Sequence, residues 1–144
     1  MVPVEAPAEI PLLNFSFAQL GKNAWALFSH VFLQLPDIFF NSIPAFGPLY
    51  HVSIPFVFVG IIVFTIQLFR EKNIEKQTQM LALWGFLVTG IWVGLITYEV
   101  NINRVNIIFY PIILLCAYGI GLAVQKWKKL WPVVAAAYGI SSIL

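Results

Sequence analysis

The side chains able to do chemistry in this sequence cluster at a few points in an otherwise apolar chain. The most suggestive run is Asn101-Ile102-Asn103-Arg104-Val105-Asn106, which puts one cation and three amides directly before a long hydrophobic stretch. A guanidinium offers its N–H donors in a rigid fork that matches a phosphate, and next to a hydrophobic stretch it is held near lipid-headgroup depth, where the dielectric is lowered. Arg104 and Asn103 are therefore candidate ligands for a lipid phosphate. The alternatives for Arg104 are a side chain that snorkels to the membrane interface or pairs with Glu99. Asp37 and Asn41 are candidate binding residues upstream in the same outer polar cluster, although an Asp before a turn commonly bonds nearby backbone amides instead. His51 has no second His or Cys at metal-ligand spacing, and His30 falls on a polar helix face where solvation is the default. Cys116, between Leu115 and Ala117, reads as a small buried hydrophobe. With no nucleophile–base pair, phosphate-cradling glycine loop or metal motif, no catalytic residue and no metal ligand is assigned. Asn14-Phe15-Ser16 matches a glycosylation sequon, a motif of low specificity.

Membrane helices must position these groups. Of 144 residues, 60% are hydrophobic and 10% charged, against about 25% charged in soluble domains. The sequence predicts an all-α, polytopic transmembrane protein. Three full spans fall at about 49–69, 81–98 and 105–124, each near the ~20 residues that cross a bilayer. A fourth apolar stretch, 131–144, is 14 residues long and reads as a truncated span. Arg70, Lys72 and Lys76 follow the first span and Lys126, Lys128 and Lys129 the third, whereas the connection between spans two and three holds only Arg104. The positive-inside rule then makes the two basic loops cytoplasmic and puts residues 1–48 on the outer side. The net charge of +2 leaves no basic stripe for nucleic acid. Residues 1–11 hold Glu5, Glu9 and three prolines and lack the pattern of a secretory signal, so either the first span directs insertion or something upstream is missing.

The outer-face segment 1–48 contains one amphipathic helix, predicted over 17–35 and followed by a proline-rich loop at 36–48. Phe17, Leu20, Ala24, Leu27, Phe28, Val31 and Leu35 recur at helical spacing, with Gln19, Lys22, Asn23, His30 and Gln34 on the other face. Ser16 with Gln19 forms a capping-box pattern, and Pro36 is the expected stop. Such a helix suits the outer membrane interface; a helix packed on a partner subunit is the alternative. Pro55 marks either the start of the first span or a bend in it. Trp84, Trp127 and Trp131 near the inner ends, and Tyr98 and Tyr110 near the outer ends, suit interfacial anchoring. Gly90 with Gly94, Ala117 with Gly121 and Ala135 with Gly139 are expected helix-contact pairs.

The order of these residues resembles bacterial GT-C class membrane glycosyltransferases, the superfamily of protein mannosyltransferases and lipid A aminoarabinose transferases. The resemblance lies in Asn41-Ser42-Ile43-Pro44, Phe46-Gly47, Leu49-Tyr50, Ser53-Ile54-Pro55 and Gly60, and again in the run Asn101 to Pro111. It covers roughly 36–124. It implies transfer of a sugar from a polyprenyl-phosphate donor at the outer face of a bacterial cell membrane, usually with inversion. Arg104 would then contact the lipid phosphate, and the loop from Asp37 to Phe46 would shape the sugar or acceptor cleft. The family's acidic catalytic loop near the N-terminus has no counterpart here, and members have many more spans. The chain therefore reads as the C-terminal portion of such an enzyme, predicted to be inactive without the missing N-terminal spans. The competing expectation is a small non-enzymatic membrane subunit that binds a partner through the interfacial helix and small-residue helix faces. A transporter is disfavoured, because no ionisable residue lies in the middle of a span.

Overall fold

A computed structural model describes residues 16–35, 49–100 and 102–141, and of Arg104 the backbone alone. Every regular element among the described residues is a helix, with no strand. Six helices follow in order: α1 (Phe17–Val31), α2 (Ile54–Arg70), α3 (Ile74–Ile96), the single turn α4 (Ile102–Val105), α5 (Phe109–Lys126) and α6 (Leu130–Ser141). Three stretches are long and apolar enough to cross a membrane: His51–Arg70, Ile74–Ile96 and Asn106–Lys126. Their 20, 23 and 21 residues span about 30 Å or more at ~1.5 Å per residue, which matches the hydrocarbon core. The chain is an integral membrane protein of α-helices. The twelve residues of α6 reach only about 18 Å.

Helix boundaries follow local capping chemistry more closely than hydropathy. Ser16 Oγ accepts the Gln19 N–H at 3.2 Å, so half of the expected capping box forms. The Gln19 side chain does not return the bond. It donates to Asn23 Oδ1 at 3.0 Å and to the Tyr98 carbonyl at 2.9 Å. The first helix ends at Val31 rather than at 35, because Gln34 takes a left-handed conformation (φ 54°). Its side-chain amide donates to the Val31 carbonyl, and its Oε1 accepts the Leu49 N–H at 2.6 Å. That single side chain closes α1 and ties it to the approach to α2. Pro36 and the 36–48 loop lie outside the described residues.

Pro55 sits in the first turn of α2, where a missing N–H costs nothing, so it marks the helix start and not a bend. A 3-10 turn, His51–Ser53, leads into it. Helix α3 begins seven residues before the predicted 81, since Asn73 Oδ1 caps the Lys76 N–H at 3.1 Å and Glu75-Lys76-Gln77 are good helix formers. Trp84, expected near the inner end of its span, is consequently at mid-helix, partly buried against the core.

Two helices touch backbone to backbone. A Cβ built on Gly60 of α2 would lie 1.9 Å from the Leu115 carbonyl oxygen of α5, and one on Gly119 of α5 would lie 2.1 Å from the Phe56 carbonyl oxygen. Hence α2 and α5 form the tightest pair among the described residues, with Val57, Ile112, Leu115 and Cys116 buried around the contact. Gly90 of α3 receives Ile108, and Gly94 receives Leu27 of α1, with Cβ distances of 3.0 and 2.7 Å. The expected Gly90/Gly94 face is therefore a contact face, but Gly94 admits α1 and not another span. Gly121 and Gly139 have open space where a Cβ would go. The close approach on α5 uses Gly119, two residues from the glycine of the predicted Ala117/Gly121 pair.

Gly119→Leu should destabilise the fold at or above the roughly 1–3 kcal/mol typical of an overpacked core, whereas Gly121→Leu should be near neutral. Denaturant unfolding of the two variants in micelles checks this, and equal losses would contradict the assigned contact.

Candidate functional site

The end of the bundle where α3 stops and α5 starts is built from α1. Asn23, 2% exposed, donates its amide to the Leu95 carbonyl at 2.8 Å and the Thr97 carbonyl at 2.6 Å. The last carbonyls of a helix lack partners within it, so a side chain from α1 caps the end of α3. Gln19 does the same for Tyr98. Four residues apart on one stripe, Gln19, Asn23, Leu27 and Val31 form the side of α1 that faces the protein, with the last three buried. Asn23 thus belongs to the inward side and not to the solvated face predicted from polarity. Outside this stripe, Phe17 is 92% and Trp25 63% exposed.

Beyond the cap, Val100 is buried, Val105 is fully buried, and Ile108 seats at Gly90. The Asn103–Arg104 turn is consequently held by buried neighbours on both sides. Asn103 is exposed within α4, and Arg104 lies beside it in the same turn, one turn ahead of Ile108. His51, Glu99 and Asn106 are also exposed. Asp37 and Asn41 lie outside the described residues. The sequence reading missed two buried polar residues, Asn23 and Gln34, each bonded to backbone groups of another segment. The four-residue spacing of Gln19 and Asn23 with Leu27 and Val31 was the available signal.

A further polar contact joins α6 to the start of α2. Tyr138 Oη lies 2.7 Å from Ser53 Oγ and 3.5 Å from Cys116 Sγ, while the Tyr138 ring meets Tyr50 edge-on at 5.9 Å. Cys116 is buried, as expected, and its thiol also approaches the Ser53 carbonyl at 3.7 Å. Among the described residues no group of three or more His, Cys, Asp or Glu could hold a metal ion.

Two clefts flank the α2–α5 pair. One, of about 340 Å³, has apolar walls that include Leu27, Phe32, Ile61, Leu87, Ile108 and Ile112 from α1, α2, α3 and the start of α5. The other, of about 660 Å³, lies between α2, α5 and the start of α6, with Phe56, Val59, Val63 and Leu122 along it and Lys126 and Trp127 at one end. Both suit apolar chains. Comparison of the chain with protein-family models, curated proteins and solved structures finds no match in any of the three.

Asn23→Leu keeps the size of the side chain and removes both caps, so the site end should loosen at a cost of about 1–3 kcal/mol for unsatisfied buried carbonyls. Faster amide hydrogen exchange over residues 98–105 checks this; unchanged exchange would contradict a role for Asn23 in holding that end.

Proposed function

We propose that this chain is the lipid-carrier-binding portion of a membrane glycosyltransferase whose donor is a polyprenyl-phosphate-linked sugar. One observation carries the reading. The backbone of Arg104 is fixed one turn ahead of Ile108, and Ile108 is a wall of the apolar cleft shared with Leu27, Ile61 and Ile112. A prenyl chain in that cleft would bring its phosphate toward the Asn103–Arg104 turn, where a guanidinium fork supplies charge-assisted hydrogen bonds in a low dielectric. The resemblance of the segments from Asn41 to Pro55 and from Asn101 to Pro111 to GT-C enzymes supplies the reaction. In this reading the catalytic carboxylate comes from other spans of the enzyme, and Asp37 and Asn41 contribute to the sugar or acceptor cleft.

The topology proposed with it has the Arg104 end facing outward in a bacterial cell membrane. Crossing helices joined by short connections alternate in direction, so the lysine-bearing ends after α2 and α5 share one side, the cytoplasmic one by the positive-inside rule. Helix α1 is then an outer-leaflet element that leans on α3, with Phe17 and Trp25 toward lipid. Helix α6 is the start of a fourth crossing, a reading supported by the reach of Tyr138 back to Ser53. The exposed Phe17 and Trp25 also favour a second reading, a non-enzymatic subunit that docks a partner on α1.

Binding of a polyprenyl phosphate to the chain in nanodiscs tests the first reading. Arg104→Ala should weaken it roughly tenfold or more, as expected for loss of a hydrogen bond to a charged group, and Arg104→Lys should recover only part because the fork is lost. Ile112→Trp should weaken binding with Arg104 intact. An affinity unchanged by Arg104→Ala would overturn the phosphate role.

A further inference from the structure

The larger groove lies on the other flank of the α2–α5 pair and ends among cations. Its length is apolar, with Phe56, Val59, Val63 and Leu122 as walls, and its end carries Lys126 and Trp127. Lys126 Nζ stands 5.0 Å from the centroid of the Trp127 ring, within cation–π range. Helix α5 stops there because Trp127 leaves helical geometry (φ −129°, ψ 85°), and the Leu130 N–H donates to the Trp127 carbonyl at 2.8 Å as α6 begins. That tight turn holds Lys126, Lys128 and Lys129 within four positions, all of them exposed. No Asp or Glu occurs after Glu99, so α5, the turn and α6 carry no acidic side chain of their own.

We propose that the groove between α2, α5 and α6 is a binding site for one anionic phospholipid of the surrounding bilayer. One acyl chain lies along Phe56, Val59 and Leu122, and the headgroup phosphate meets Lys126, Lys128 and Lys129. The charge pattern selects the occupant: a zwitterionic lipid would bring its own ammonium group against three lysines, whereas an anionic headgroup adds no competing cation. Basic pockets between membrane helices favour anionic headgroups for this reason, and the attraction grows with each Lys near the surface. Trp127 and Trp131, both more than half exposed, suit the glycerol level beside such a headgroup. This site is distinct from the Arg104 turn and does not depend on the glycosyltransferase reading.

The test uses the full chain in nanodiscs that contain equal amounts of phosphatidylglycerol and phosphatidylcholine, with retained lipid counted by native mass spectrometry. One phosphatidylglycerol per chain should be retained, with a preference of roughly five- to tenfold over phosphatidylcholine. The triple substitution K126Q/K128Q/K129Q should erase the preference. Val59→Trp, which fills the groove with the lysines intact, should erase it as well. Equal retention of the two lipids, or a preference that survives Val59→Trp, would overturn the proposal, the latter by showing diffuse attraction without a groove site. Tryptophan quenching by chain-brominated lipids gives a readout on the unmodified protein: brominated phosphatidylglycerol should quench more strongly than brominated phosphatidylcholine at equal mole fraction, and equal quenching would also overturn it.

Discussion

The backbone contact between Gly60 and Gly119 is the constraint on which the rest of the structure depends. In lipid there is no hydrophobic drive to bring two apolar helices together, so association rests on close packing, and residues without a side chain allow the closest packing. With the Leu115 carbonyl in the space a Gly60 side chain would need, α2 and α5 meet along a narrow seam. The seam divides their remaining surfaces into two flanks. Ile61 and Ile112 face one cleft, while Val59 and Leu122 face the other. Helix α3 joins this pair where Ile108 seats at Gly90, and α1 joins α3 where Leu27 seats at Gly94.

Polar side chains then fasten the ends. Within a membrane every backbone group needs a partner, and three amide side chains serve backbone groups of other segments. Asn23 and Gln19 take carbonyls at the end of α3, and Gln34 accepts the Leu49 N–H before α2. A Ser53–Tyr138 contact attaches α6. The same logic explains why α1 stays against the bundle despite its exposed aromatic residues: its inward stripe carries hydrogen bonds as well as Leu27 and Val31.

The spans were readable from the sequence because the long apolar runs before Arg70, between Lys76 and Glu99, and again before Lys126 have few other stable solutions. Exact helix limits were not, since α3 starts at a cap, Asn73, that hydropathy does not register, and α1 stops at Val31, ahead of a left-handed Gln34, instead of running to Pro36. The buried amides escaped because polarity was taken to mean solvation, whereas Asn23 donates to the Leu95 and Thr97 carbonyls at the end of α3. Glycine contacts were half readable: a pair of small residues four apart marks a possible seam, but only the neighbouring helix decides whether Gly119 or Gly121 lies in it. For the site, the sequence singled out the Asn103–Arg104 turn, and the structure adds that this turn is anchored by Val105 and Ile108 beside an apolar cleft. Cleft walls drawn from four separate segments leave no local sequence pattern.

Whether α2 and α5 meet through their glycines can be read by solid-state NMR of the chain in lipid bilayers with glycine labelled in 15N and 13C. Only nine glycines contribute signals, and a Cβ position on Gly119 lies 3.1 Å from the Gly60 nitrogen. A through-space correlation between the Gly60 nitrogen and the Gly119 Cα is expected. Helical shifts at both residues without that correlation would contradict it.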